Sequence, residues 1–415
     1  MSIQVNKHHL PNLIAMRLFN LFILSISFTS CIFDDTVSPE SRLQVSNKVV
    51  LTAPKGDTLT NPGKSDTLRY NLSDFYSDNE NLSLLVDSIF NSLSVNEKAA
   101  QLIMPATSEY YKIGIPFKNV KQALLKKQIG GVLYLKGTKK KFKIHIDELN
   151  LLTSKNKIAP LINSCDCEPT LYHKKFKDAD SVTATNLLVT DELINAAVTK
   201  ISGEIKSMGI QLNFAPVVDI SINQEIIGTR SFSADPEEIF ERANRFIAVS
   251  QAWNIAATIK HFPGHGAVKG DSHKQIVFID GELTEVKTFE RIIKASNPIA
   301  VMIGHIAIDN NPLYDENLPS TLSRKVITEL LKNKIGFKGI VVTDAMQMKA
   351  VLNYQNASWK ALVAGADLVI MPLNIQVLHN QIVTELGLKN SSLAKQFEVS
   401  IKKILRLKIC TGVIK

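Results

Sequence analysis

Residues 260–273 read KHFPGHGAVKGDSH and hold three of the chain's nine histidines, His261, His265 and His273, with Lys260 and Asp271 beside them. Histidine is the side chain whose ordinary pKa lies nearest neutrality, so it suits proton transfer in both directions. Asp271 stands two residues before His273. In extended backbone such residues face the same side, so Asp271 is expected to hold one imidazole nitrogen and leave the other free. Gly264, Gly266, Gly270 and Pro263 mark a loop shaped by backbone demands. A glycine-rich turn with incidental surface histidines is the plain alternative. Three histidines, a lysine and an aspartate beside an apolar run favour a working site.

The other candidate groups lie at the ends of apolar runs. Asp166 follows 160–163, Asp219 closes 212–220, with Arg230 beyond it, and Lys260 and His261 follow 255–259. His305 comes after 299–303 and Asp344 after 339–343. Three further runs, 102–104, 130–135 and 368–371, bring the strands to eight. Helical segments separate them. Ser94 with Glu97 forms a capping-box signature, Asp235-Pro236 opens a helix to about Trp253, and Ser323 starts one that Gly336 closes. Helical patterns also cover 146–153, about 180–208, 358–364 and about 393–408. Short buried strands alternating with helices predict an α/β fold, a (β/α)8 TIM-type barrel forming a single catalytic domain over 84–415. A doubly wound open sheet is the runner-up, but no Gly-x-Gly-x-x-Gly follows a strand. In a barrel the carboxyl ends of all strands meet at one mouth, so these distant residues are expected to share a pocket.

Composition supports a large packed core, with 45% apolar and 21% charged residues. The net charge of +9 comes mostly from lysines scattered along helical segments. They read as solvated faces, and no nucleic-acid partner is expected. The four cysteines, Cys31, Cys165, Cys167 and Cys410, have no zinc spacing and imply no disulfide framework. His261, His265 and His273 lack helical spacing and an acidic ligand set, so no metal is expected, and no phosphate loop or other cofactor motif is present.

The first 31 residues form a leader. Arg17, an apolar run and Thr29-Ser30-Cys31 have the layout of a bacterial lipoprotein signal, with Cys31 as the lipidated residue and Met16 as an alternative start. The run is too short for a membrane span. An envelope location on a lipid anchor follows, or secretion if Cys31 is not modified. Residues 32–83 are rich in Ser, Thr, Asp, Asn and Pro and read as a tether.

An anionic carboxylate, an oriented imidazole and several cationic donors in one pocket fit glycoside hydrolysis. Asp344 could attack or stabilise the sugar's anomeric centre, and His273 could protonate the leaving oxygen. KHFPGHGAVKGDSH, preceded by IGTRSF at 227–232 and followed by VVTDAMQM at 341–348, resembles glycoside hydrolase family 3. The likeness is to its β-N-acetylglucosaminidase branch and covers roughly residues 85–410.

That resemblance implies a retaining exo-glycosidase releasing terminal β-linked N-acetylglucosamine from peptidoglycan- or chitin-derived fragments. Asp344 would be the nucleophile, and His273, held by Asp271, the acid/base. Asp166, Arg230, Lys260 and His261 would bind the sugar. His265 and the glycines would shape the loop. The family's Asp-Gln-Glu-Gly-Gly is replaced by Asp166-Cys167-Glu168-Pro169-Thr170, and Lys174 stands where a sugar-binding arginine is usual. A single-barrel form without the second domain of many relatives is expected, which agrees with a histidine acid. A phosphorylase and a non-catalytic glycan-binding lipoprotein are the competing readings.

Overall fold

A computed structural model describes residues 69–110, 113–268, 270–388 and 390–415. The leader, Cys31 and most of the tether lie outside the described residues. Packing begins ahead of residue 84, because Tyr70, Leu72 and Phe75 are buried in the main core. The helix Glu80–Ser92, capped by Asn79, runs before that core is complete.

The strands are β1 Ile103–Met104, β2 Ala106–Thr107, β3 Gly131–Tyr134, β4 Ile162–Cys165, β5 Leu212–Asn213 and β6 Ala256–Phe262. They continue with β7 Val277–Asp280, β8 Ala300–Ile303, β9 Ile306–Asp309, β10 Ile340–Thr343 and β11 Val369–Ile370. Seven are parallel in the order β10-β8-β6-β5-β4-β3-β2. Pro105, which has no N–H to give a ladder, separates β1 from β2 within one staggered strand. β1 pairs with β11, and a Val342–Leu368 bridge joins β11's approach to β10, so the ring closes. All eight apolar runs thus become barrel positions. β7 and β9 pair with each other beside the ring and were not foreseen.

Helices cover the ring, and their starts follow local chemistry. Ser94 and Glu97 form the reciprocal capping box, and Asp235 caps Pro236–Ala252 with proline in the first turn. Such a cap is worth about 1 kcal/mol. The segment 180–190 is not part of the expected long helix, which begins at Asp191 with Thr190 as its cap. Lys325–Lys334 is wound as a π-helix, and Ser323 contributes a hydroxyl acceptor to Val326 N–H at 3.4 Å. None of the described helices is long and apolar enough to cross a membrane.

Candidate active site

The barrel mouth holds a cavity of about 400 Å³ lined by Asp166, Lys175, Arg230, Lys260, His261, His273 and Asp344, among others. The strand-end rule therefore brings six of the seven expected binding and catalytic residues other than Asp271 into one wall-to-wall space. Lys174 is the exception. It is exposed, and its neighbour Lys175 lines the cavity instead. Tyr172–Lys175 is one helical turn, on which adjacent side chains point about 100° apart. A register error of one residue therefore moves the ammonium from pocket to solvent.

One wall is a buried ionic chain. Lys260 Nζ lies 2.5 Å from Asp166 Oδ1 and 2.7 Å from Glu168 Oε1. Lys175 Nζ reaches Asp166 Oδ2 at 2.8 Å. Arg230 donates to Glu168 through Nε at 2.8 Å and Nη2 at 2.6 Å. Burial opposes the charge on Asp166, but Lys175, Lys260 and Arg230 outweigh it and hold the carboxyl well below its usual range. Burial also works against the Lys260 ammonium, and the attraction of Asp166 and Glu168 wins, raising its pKa. Lys260 and His261 sit within β6, which extends to Phe262 rather than stopping at residue 259. The Lys260–His261 peptide bond is cis.

His261 is aimed by Asp219, which is fully buried. Asp219 accepts from His261 N–H at 3.0 Å, from His261 Nδ1 at 2.6 Å and from His265 N–H at 2.9 Å. An ionised carboxylate only accepts, so Nδ1 carries the proton and Nε2 is left for the cavity. His265 does not act in the pocket in the same way. Its Nε2 meets Ser272 Oγ at 2.9 Å and its Nδ1 meets the Asn223 amide at 3.3 Å, so it braces the loop.

Asp344 follows β10. Its N–H donates to Ile303 O at 2.9 Å and its Oδ1 accepts from Ala345 N–H at 2.7 Å. Burial would raise its pKa, but attraction to His305 and His261 holds the carboxyl below its ordinary value. It is an anion at neutral pH. His305 reaches it indirectly, donating from Nε2 to Ala345 O at 3.0 Å while Nδ1 meets Thr321 Oγ1 at 2.8 Å.

On the loop side, Asp271 Oδ1 accepts from the N–H of His273 at 2.8 Å and from its Nδ1 at 2.9 Å. The pair forms as the residues suggested, but through a turn rather than an extended segment. One carboxylate oxygen clasps the backbone and ring of the residue two places on. Asp271 is partly screened, and burial works against its charge, yet the His273 donors pull its pKa down. His273 Nε2 is free to face the cavity.

Glu168 was not singled out from the sequence, although it links Lys260 to Arg230. Its partners are distant in sequence, so only the fold joins them. Adjacency to Asp166 at a strand end was the one available signal. Glu285 was missed as well. It accepts from Ile220, Gly266 and Ala267 N–H at 2.8, 2.9 and 3.0 Å.

The mouth of a closed (β/α)8 barrel thus brings a strand-end carboxylate and a carboxylate-oriented histidine to one cavity. The chain belongs to glycosyl hydrolase family 3: the model of that family's N terminal domain matches residues 94–407. The chain is 32% identical over 214 residues to Beta-hexosaminidase A of Pseudoalteromonas piscicida, covering 47% of this chain and 36% of that one. Similarity to a Beta-hexosaminidase of Tolumonas auensis is 34% over 179 residues, covering 41% and 52%. The matched region thus spans about a third to a half of these two relatives' lengths. Among solved structures, a family 3 beta-N-acetylglucosaminidase from Paenibacillus superposes with a TM-score of 0.68 at 25% identity, over 78% of this chain and 63% of that one. Beta-N-acetylhexosaminidase from Beutenbergia cavernae shares the fold, with a TM-score of 0.66 at 22% identity, over 76% and 98%.

Proposed function

We propose that this chain is a retaining exo-β-N-acetylglucosaminidase. The observation that carries the reading is that the Asp344 carboxylate and the Asp271-held imidazole of His273 face one cavity. Asp344 attacks the anomeric carbon while His273 Nε2–H protonates the departing oxygen, giving a glycosyl ester on Asp344 and a neutral imidazole. That imidazole then takes a proton from water, which attacks the same carbon from the vacated face. The sugar leaves with its configuration retained, and Asp344 and protonated His273 are restored. In this reading Asp166, Lys175, Arg230, Lys260 and His261, which line the same cavity, hold hydroxyl and acetamido groups. The relatives' names, Beta-hexosaminidase and beta-N-acetylglucosaminidase, support the choice of sugar.

The test is release of chromophore from an aryl β-N-acetylglucosaminide between about pH 5 and 8. Turnover is expected, and none in a folded sample sinks the reading. A phosphorylase is the second reading. A neutral imidazole repels an incoming phosphate less than a carboxylate would, and the opposite wall carries three cationic side chains. Sugar 1-phosphate as the main product in phosphate buffer would select it, whereas free sugar supports hydrolysis. Glycan binding that survives Asp344→Ala, with no turnover in the parent, would instead indicate a non-catalytic binder.

A further inference from the structure

We propose that Glu285 is a positioning residue for the acid/base arm, acting through the backbone of the β6–β7 loop. This rests on the assignment of His273 above. The carboxylate is buried, with the residue 5% exposed, and lies outside the cavity lining. Its Oε1 accepts from Gly266 N–H at 2.9 Å and Ala267 N–H at 3.0 Å, and its Oε2 from Ile220 N–H at 2.8 Å. One side chain therefore ties the base of the His273 loop to the residue after Asp219, which itself holds His261 and the backbone of His265.

The glycine spacing of the motif fits this contact. A Cβ on Gly264, whose φ is +128°, would stand 2.5 Å from the Cβ and 2.7 Å from Oε1 of Glu285. A Cβ on Gly266 would stand 2.0 Å from Ile220 O. Neither position admits a side chain unless the clamp opens. Beyond Ala267 the loop has little apolar support. Val268, Val277 and Ile306 form a small cluster of their own, apart from the main core. The clamp fixes the base of the arm to Asp271 and His273, while Asn223 and His265 brace it further along, at Gly270 O and Ser272. Burial and the neighbouring Asp219 push Glu285 up to about 8 even against three backbone donors, so the site holds this group at some cost.

Loosening the clamp moves the proton donor and leaves Asp344, just past β10, in place. The loss should therefore depend on how much the leaving group needs a proton. In Glu285→Gln, kcat/KM for a β-N-acetylglucosaminide with an alkyl or sugar leaving group is expected to fall about 10- to 100-fold, part of the usual worth of general acid catalysis. With a 2,4-dinitrophenyl leaving group, kcat/KM should change less than about threefold, since that group departs with little protonation. Glu285→Asp, which keeps the carboxyl group and withdraws it by one methylene, should fall between and serves alone if the Gln variant does not fold. Equal losses on both substrates, or none, in a variant with the parent's Tm would overturn the inference. A second readout does not need turnover. Hydrogen exchange in the Gly266, Ala267 and Ile220 set should speed up roughly tenfold or more in Glu285→Gln, because its single carbonyl oxygen cannot serve all three donors. Unchanged protection there overturns the clamp, whereas a parent that cleaves neither substrate overturns only the proposed function.

Discussion

The two sides of the cavity are built in opposite ways. The wall of Asp166, Glu168, Arg230 and Lys260 is part of the barrel. Glu168 and Lys260 have side chains 1% and 2% exposed, and every charge meets an opposite one. The arm of Asp271 and His273 stands on a loop, with the His273 side chain 59% exposed and its aspartate 12% exposed. Lys260 on β6 and the mutual pairing of buried charges fix the first region, while the second depends on a turn, a small apolar cluster, the His265 and Asn223 braces and the Glu285 clamp. Groups that hold a sugar through several charge-assisted bonds profit from a rigid, dry setting. A group that must give and take a proton profits from access to water and to leaving groups of different size. On the proposed assignment, recognition and proton transfer stand on supports that differ in burial.

Breaking the chemistry itself should have the largest effect. Asp344→Asn removes the nucleophile from the rigid side and is expected to lower kcat by roughly 10⁴–10⁶ while the fold keeps its Tm. A fall of less than tenfold would place the nucleophile elsewhere. His273→Ala comes next, with about 10²–10⁴ lost in kcat/KM on substrates with poor leaving groups and much less on activated ones. Because His273 is exposed, its removal should leave Tm unchanged, and a large drop in Tm would contradict the contrast drawn here.

Lys260→Met should behave in the reverse manner. It takes one cation from buried Glu168 and partly buried Asp166, which keep Arg230 and Lys175 as partners, so the cost should stay below the ~3–5 kcal/mol of a buried charge left unpaired. Denaturant unfolding should show a lower midpoint, and a stability equal to the parent's would show that the ionic wall is not a structural unit. Smaller again is the effect of Lys175→Ala, expected to raise KM several-fold through loss of the Asp166 contact, against no change for Lys174→Ala. The least effect concerns the core away from the mouth. Lys408 is fully buried, donating to Gln101 Oε1 at 2.5 Å and Pro160 O at 2.7 Å, and burial lowers its pKa to about 7. The unfolded chain then binds the extra proton between about pH 7 and the ordinary lysine value of ~10.4, so stability rises with pH across that window. Lys408→Met should flatten that rise, and an unaltered slope would remove Lys408 as its source.

These regions were also unequally legible in the sequence. The eight strands could be read because each is a short apolar run, and the strand-end rule then carried Asp166, Arg230, Lys260, His261 and Asp344 to one mouth. The Asp271–His273 pair was legible because both members are local, although the turn that joins them was not. Pairings made only by the fold were hidden. Glu168 meets Lys260 and Arg230 across the barrel, and Glu285 meets Gly266 and Ala267 across a loop. Lys174 was preferred to Lys175 by counting from Asp166, and counting cannot fix rotation within one helical turn. β7 escaped notice because it is short and partly exposed, and β9 because it is short and starts three residues after β8 ends, so it reads with the same apolar run. Tyr70, Leu72 and Phe75 are sparse apolar residues in a polar stretch, so their packing was not apparent from composition.

The most direct test of the central claim is mass spectrometry of the protein after reaction with a 5-fluoro-N-acetylglucosaminyl fluoride, which slows release of the covalent sugar. A single adduct on the peptide carrying Asp344, lost in Asp344→Asn, is the predicted result. An adduct on another carboxylate such as Asp166, or normal turnover with no adduct at all, would contradict it.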